Sequence, residues 1–266
     1  MTLSAAVWLG VVQGLTEFLP VSSSGHLVIT QHFMSDFEQP GLLFDVVLHL
    51  GTLGAVLLYF HSEVGLLLSG LRPGSEGVTG RKLIGLLIVG TVPAVIAALS
   101  FKDAIESSFE GLAVVGPALI VTGSWLLLTS KTGKGRRGLT EITTTDAAVV
   151  GLCQSVALVP GISRSGSTIG AGLMRGLDHT AAARFSFLLS IPAIVGAAVF
   201  NLKDVSSVSG AVWTSYLAGF ATAFAVGYVA IGLVIRFLES KKFHLFGYYC
   251  IILGGLILGY VALGHS

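Results

Sequence analysis

The sequence predicts an all-α polytopic membrane protein with an inverted-topology repeat, each half holding one re-entrant helical hairpin and three transmembrane helices. Three observations lead there. The chain of 266 residues is 53% hydrophobic and only 11% charged, with mean hydropathy +0.86. Soluble domains carry about 25% charged residues. Two apolar stretches are interrupted by polar, glycine-containing centres, Pro20 to His26 and Pro160 to Thr168. These two stretches are also related to each other. Adding 141 to the residue number carries Gly10 to Gly151, Gln13 to Gln154, Ser22 to Ser163, Ser24 to Ser165, Gly25 to Gly166 and Phe44 to Phe185 without a gap.

Six stretches are long enough to cross a bilayer, which takes about 20 apolar residues: roughly 41–60, 82–100, 111–129, 184–201, 212–236 and 246–263. Pro93, Pro117 and Pro192 fall within them, which membrane helices tolerate when neighbours satisfy the freed carbonyl. Segments 3–33 and 146–175 read differently. Proline removes a donor, and serine hydroxyls compete for backbone bonds, so neither segment suits an uninterrupted span. Each is expected to be a hairpin whose tip is buried in protein or lines a cavity, the places where non-helical backbone is allowed at that depth.

The placement of lysine and arginine sets the orientation. If each hairpin returns to its own side and every other segment crosses, loops 61–82, 130–146 and 236–245 share one face. That face holds ten basic residues, including Arg72, Arg81, Lys134, Arg137 and Lys241, whereas the opposite loops hold Lys102 and Lys203. The basic face is therefore expected in the cytoplasm, with both termini outside. Three crossings per half turn the second copy over, so that hairpin one enters from outside and hairpin two from inside. Inverted repeats with broken helices build their site where such tips meet. The expected organisation is one membrane domain, 1–266, with repeats of about 1–130 and 142–266.

Other classes are excluded or weakened. A net charge of +1 gives no reason to expect nucleic acid as a partner. Cys153 and Cys250 lie in separate apolar segments and read as packing residues. The N-terminus lacks a basic leader and a clear cleavage site and is expected to be retained. No zinc pattern, Walker loop or dinucleotide fingerprint is present.

The two copies differ where chemistry would be placed: Glu17, Ser23 and His26 stand opposite Leu158, Arg164 and Ser167. Gln13 and Glu17 are four apart, on one helical face. A lone acid in a membrane is expensive, so Glu17 is expected to face a partner or a polar interior; a purely structural ion pair is the plainer reading. His26 lies beyond the Pro/Ser/Gly break, and the chain can fold it back towards Glu17. One imidazole nitrogen would then be held by the carboxylate and the other left for phosphorus or a proton. Ser22, Ser23, Ser24 and Gly25 can bind phosphate oxygens at a helix start, supply a nucleophile, or simply cap the helix. In the second break, Arg164 can hold two phosphate oxygens and stabilise developing charge. Ser163, Ser165, Gly166 and Thr168 around it are further candidates for substrate contacts, and Gln154, like Gln13, can orient water or steady its break. Asp45 and His49 form an i,i+4 pair that could line an entrance or assist a metal, or be a local helix pair. Arg175, Asp178 and Arg184 are expected at the inner interface.

Gly14-Leu15-Thr16-Glu17-Phe18-Leu19-Pro20-Val21-Ser22-Ser23-Ser24-Gly25-His26-Leu27 resembles the signature of the bacterial undecaprenyl-pyrophosphate phosphatase family, the bacitracin-resistance type. Pro160-Gly161-Ile162-Ser163-Arg164-Ser165-Gly166-Ser167-Thr168 resembles its second motif, and the likeness extends over essentially the full chain. The resemblance implies hydrolysis of undecaprenyl pyrophosphate to undecaprenyl phosphate and inorganic phosphate in the bacterial inner membrane, which recycles the lipid carrier for cell-wall synthesis. It implies a site reached from the periplasmic side and dependence on a divalent cation, Mg²⁺ or Ca²⁺. It places catalysis on Glu17 and His26, phosphate binding on Arg164 and a direct part on Ser23; Glu17 is also the candidate metal ligand. The family often has glutamate where this chain has Gln13, which can neither act as a base nor supply an anionic ligand. His26, Ser23 and water all stand as nucleophiles at this point. The rival class is a secondary transporter or flippase for an anionic lipid, since inverted repeats and broken helices serve there too. Oligomeric state is open, a homo-oligomer included.

Overall fold

A computed structural model describes residues 1–34, 42–74, 77–109, 111–132, 135–200, 212–240 and 242–265. Lys134, Lys203 and Lys241, used above to orient the chain, and residues 35–41 lie outside the described residues. The described chain is all α apart from a short 3-10 turn at Leu139–Glu141 and a single bridge between Arg137 and Leu177.

The first hairpin is α1 (Leu3–Phe18) and α2 (Ser23–His32). Thr2 starts α1 by accepting the Ala5 N–H on its hydroxyl, an N-terminal cap that satisfies an otherwise orphaned donor. Leu19 ends it with an extended backbone, ψ 140°, as the residue before a proline must. Ser22 then takes a positive φ of 70°, a conformation that costs energy in any residue but glycine. The second hairpin is α8 (Thr144–Val156) and α9 (Arg164–Met174). It starts on a reciprocal cap between Thr143 and Asp146, and its break turns on Gly161 at φ 96°. A Cβ there would also stand 2.7 Å from Val115 O. Glycine is required on both counts.

The remaining helices are α3 (Leu42–Tyr59), α4 (His61–Gly70), α5 (Val78–Ser100), α6 (Lys102–Ser107), α7 (Leu112–Ser130), α10 (His179–Phe200), α11 (Trp213–Glu239) and α12 (His244–Ala262). α5, α7, α10, α11 and α12 are each long and apolar enough to cross a membrane. α3 joins them as part of a pair with α4 bent by 85°. This is a multi-pass membrane protein, with helices in all six stretches read as crossings. The loops expected at 61–82 and 101–110 hold the short helices α4 and α6, a local order that hydropathy alone does not reveal. Large apolar side chains such as Ile88, Ile96, Val121, Val229 and Ile252 stand more than half exposed, where lipid tails rather than water meet them.

Glycine lets the hairpins dock closely on the spans. A Cβ on Gly10 of α1 would come within 2.7 Å of Gly219 O on α11, and one on Gly151 of α8 within 2.5 Å of Gly90 O on α5. These are the close backbone approaches that small residues permit between membrane helices. α3 packs on both α10 and α11, and α7 packs on α12, α9 and α2. Phe18, Phe60 and Phe187 meet beneath the first break with ring centroids 5.4 and 5.9 Å apart.

Candidate active site

The two breaks are stitched together by hydrogen bonds. Ser22 Oγ caps α2 by accepting Gly25 N–H at 3.3 Å and also accepts Gly161 N–H at 3.1 Å. Ser165 Oγ donates back to Leu19 O at 3.0 Å. Thr122 of α7 donates to Gly161 O at 2.9 Å and accepts Ser163 N–H at 3.0 Å. Ser163 Oγ caps α9 by accepting Gly166 N–H at 3.0 Å, just as its counterpart Ser22 caps α2.

This brings the first residues of α2 and α9, Ser23 and Arg164, to one buried carboxylate. Ser23 Oγ donates to Glu17 Oε2 at 2.6 Å, and Gln13 Nε2 donates to the same oxygen at 3.0 Å. Arg164 Nη2 donates to Glu17 Oε1, while its Nη1 reaches Ser186 O at 3.2 Å. His49 Nε2 of α3 lies 3.5 Å from Glu17 Oε2. Two helix N-termini also converge here, each with unpaired N–H groups and a positive dipole end suited to an anion.

A cavity of about 500 Å³ opens from this cluster. Glu17, Ser22, Ser23, Ser24, His49 and Arg164 line its polar end. The other predicted residues serve elsewhere. Gln154 Nε2 donates to Gly90 O at 3.2 Å, tying α8 to α5. Thr168 Oγ1 donates to Arg164 O at 2.8 Å and meets Ser186 Oγ at 2.6 Å. Gly25 and Gly166 provide the capped amides, and Ser163 and Ser165 have their hydroxyls committed to the framework. All of these hold the breaks in place rather than line the cavity.

One expectation is corrected. His26 does not fold back to Glu17. Its Nδ1 donates to Ser22 O at 2.7 Å, fixed by the helical offset of four residues, and its Nε2 accepts from Tyr249 Oη at 2.7 Å on α12. The imidazole that faces Glu17 is His49. Asp45 and His49 both line the cavity; His49 Nδ1 donates to the Asp45 backbone carbonyl at 2.7 Å, and the Asp45 carboxylate accepts from Gln31 at 3.0 Å. A histidine inside an apolar span is itself costly, and that was the signal available for His49. Arg184 pairs with Glu63 at 3.0 Å and Arg175 with Asp146 at 2.8 Å, so both are structural ion pairs.

Among the described residues, no three His, Cys, Asp or Glu side chains form a group able to hold a metal ion. Both Glu17 oxygens are already occupied by donors, and Gln13 Oε1, buried without a partner, is neutral. These residues do not fit a protein-built cage for a divalent cation.

The sequence matches the family described as bacitracin resistance protein BacA over residues 6–256. It is 43% identical over 257 residues to an undecaprenyl-diphosphatase of Syntrophotalea carbinolica, covering 96% of this chain and 98% of the relative. An undecaprenyl-diphosphatase of Desulfosudis oleivorans is 45% identical over 264 residues, covering 95% and 96%. One from Desulforapulum autotrophicum is 41% identical over 277 residues, covering 98% and 100%.

Proposed function

Because the chain belongs to the bacitracin resistance protein BacA family, we propose that it hydrolyses undecaprenyl pyrophosphate to undecaprenyl phosphate and inorganic phosphate at Glu17, Ser23 and Arg164. The observation that carries the mechanism is the 2.6 Å bond from Ser23 Oγ to Glu17 Oε2, which joins a hydroxyl to a base beside a guanidinium. Arg164 has five N–H donors and uses two of them on Glu17 and Ser186, so its remaining donors can bind phosphate oxygens. The starts of α2 and α9 lie at the same place, since their first residues both meet Glu17.

In the first step Ser23 Oγ attacks the terminal phosphorus and its proton passes to Glu17. The bond from that phosphorus to the bridging oxygen breaks, and undecaprenyl phosphate leaves with the electron pair, taking the proton from Glu17. Water then attacks the phosphoserine, giving a proton to the regenerated Glu17 carboxylate. The Ser23 Oγ–phosphorus bond breaks, Glu17 returns that proton to Ser23 Oγ, and inorganic phosphate is released. Arg164 stabilises the charge that builds on the equatorial oxygens, the main task in phosphoryl transfer. His26 acts as a positioning residue, since its ring holds the carbonyl of Ser22 directly ahead of Ser23. A divalent cation, Mg²⁺ or Ca²⁺, would arrive on the substrate phosphates and neutralise part of their charge.

The inverted arrangement of the halves belongs to this reading. Under the offset of 141, α1 on α11 is the counterpart of α8 on α5, and Ser23 is the counterpart of Arg164. The cavity runs towards Leu99 and Phe200, at the ends of α5 and α10, and Lys102 at the start of α6, away from the basic loops. That direction supports a site open to the periplasm, with both termini on that side.

The deciding assay is phosphate release from undecaprenyl pyrophosphate by purified protein in detergent, beside Glu17→Gln, Ser23→Ala and Arg164→Ala. Loss of at least about a hundredfold in folded variants is the expected result. No release from folded wild type across several divalent ions would sink the hydrolase reading and recast the cluster as the anion site of a lipid transporter.

A further inference from the structure

The cavity above Glu17 is far more apolar than a pyrophosphate needs. Beyond its polar end the walls are Ala94, Val95 and Ala98 of α5 facing Ala193, Gly196 and Ala197 of α10. On each helix these positions fall at spacings of three and four, so each presents one face of small side chains to the space between. A second, shallower groove of about 220 Å³ lies on the surface of α5, lined by Ile88, Val92 and Ile96. Those three side chains are 46–59% exposed on an apolar helix, which places the groove against lipid. The two spaces share Thr91, Val95 and Pro192. The two spaces therefore adjoin at the gap between α5 and α10, with the phosphate site at the far end of one and exposed apolar side chains along the other.

We infer that the first isoprene units of the lipid substrate occupy this chamber and leave it sideways over Val95 and Pro192 into the groove between Ile88 and Ile96. The inference rests on the proposed hydrolysis of a prenyl pyrophosphate and adds where its tail is held. The volume is in the range that buries most of a small organic ligand. An apolar tail there gains dispersion contacts that water cannot supply, while the pyrophosphate lies at Arg164 and Ser23. The small side chains of the walls leave room for the methyl branches of an isoprenoid. Chain selectivity is then set at α5 and α10, apart from the reacting groups.

Gly196 makes the inference testable. It adjoins the chamber, and a Cβ built there meets no atom within 4 Å, so a side chain can be added without disturbing the fold. Gly259 of α12 is equally open but lies away from the chamber and serves as the control. In a Cys153→Ser background, Gly196→Cys and Gly259→Cys are labelled with a maleimide. The labelling is run alone, with farnesyl methylenebisphosphonate, and with methylenebisphosphonate lacking a tail. Because neither probe is hydrolysed, the readout is independent of catalysis. Expected is protection of Gly196→Cys by the farnesyl probe alone, at least about fivefold because a seated ligand is largely covered, and no protection of Gly259→Cys. Equal protection by both probes, or none at concentrations of the farnesyl probe that block labelling of a Ser24→Cys variant at the polar end of the cavity, overturns the chamber.

The second arm is kinetic. Gly196→Trp should raise KM for undecaprenyl pyrophosphate about tenfold with kcat nearly unchanged, the pattern of lost binding shared by ground and transition states. Gly259→Trp should match wild type. A Gly196→Trp enzyme that also matches wild type removes the tail from the chamber. Wild type that releases no phosphate defeats the hydrolase reading, and the labelling pattern still decides whether a prenyl chain binds here.

Discussion

His49 Nε2 stands 3.5 Å from Glu17 Oε2, and the other nitrogen of the ring constrains what that approach means. Nδ1 is bonded to the Asp45 carbonyl oxygen at 2.7 Å. A carbonyl only accepts, so Nδ1 carries a hydrogen. That bond holds the ring with its Nε2 edge towards the carboxylate. Glu17 is thus flanked by Arg164 on one oxygen and by Ser23, Gln13 and His49 on the other. A carboxylate so surrounded is held in one orientation, with Ser23 Oγ inside its reach.

His49→Ala is expected to lower kcat/KM by about tenfold to a hundredfold, the range for a group that orients or assists a proton acceptor. His49→Gln, whose amide can donate to Glu17, should recover part of it. Steady-state phosphate release by the two variants is the check. An His49→Ala enzyme with wild-type kinetics would reduce this contact to packing.

The nucleophile can be identified chemically. Rapid acid quenching with substrate labelled in the terminal phosphate should trap label on Ser23 as acid-stable phosphoserine, absent from Ser23→Ala. Acid-labile label on a histidine would contradict the mechanism, because His26 faces Tyr249 and away from Glu17. His26→Ala should still reduce turnover, since its Nδ1 secures the Ser22 carbonyl next to a backbone at φ 70°.

Arg164→Lys should be nearly as damaging as Arg164→Ala. The guanidinium spans Glu17 and Ser186 at once and keeps donors for phosphate, a task for a planar fork that one ammonium cannot perform. Both changes are expected to cost about 10²–10³ in kcat. Activity of the lysine variant within a few-fold of wild type would mean that charge alone suffices.

The spans and the two breaks could be read from sequence because lipid imposes coarse rules: long apolar runs cross, and Pro, Gly and Ser interrupt them. Glu17, Ser23 and Arg164 could be read because three polar residues sit at expensive positions in two related motifs. Contacts made between distant helices could not. Nothing local says that His49 of α3, rather than His26, faces Glu17, since Glu17 and His26 are close in sequence but α2 turns the ring of His26 towards α12. The framework roles of Ser165 and Thr168 were likewise hidden, because their partners Leu19 and Ser186 are set by packing; a steadying role was one reading of Gln154, but its partner Gly90 was not legible. The bend between α3 and α4 falls at Phe60, in a stretch whose polarity resembles an ordinary loop.

Dependence on a divalent cation should follow the substrate rather than the protein. With Glu17 enclosed by donors and no metal-holding group among the described residues, protein stripped with chelator should regain full activity at once when Mg²⁺ returns. The midpoint for Mg²⁺ should shift with pyrophosphate concentration, as expected when the ion enters on phosphate oxygens. Slow reactivation, or a stoichiometric ion retained through dialysis, would point to a site built by the protein.

The base of the second hairpin is tied together through one carboxylate. Asp146 is fully buried and accepts from Arg137 Nη1 and Arg175 Nε, both at 2.8 Å, and from the Thr143 hydroxyl at 2.8 Å. It thereby joins the loop before α8, the start of α8 and the end of α9. Burial pushes this carboxyl up, but the bonds from Arg137, Arg175 and Thr143 outweigh it and leave it below the usual aspartate range. A depressed folded-state value means the stabilisation is fully present above the unfolded aspartate pKa of about 4. It is lost as pH falls from there through the folded value. Asp146→Asn should therefore destabilise by about 2 kcal/mol at neutral pH, as charge-assisted bonds do when broken. The gap from wild type in thermal unfolding should narrow below about pH 4. A gap that stays constant from neutral to acid pH would show that the amide disturbs packing rather than removing the charge that binds Arg137 and Arg175.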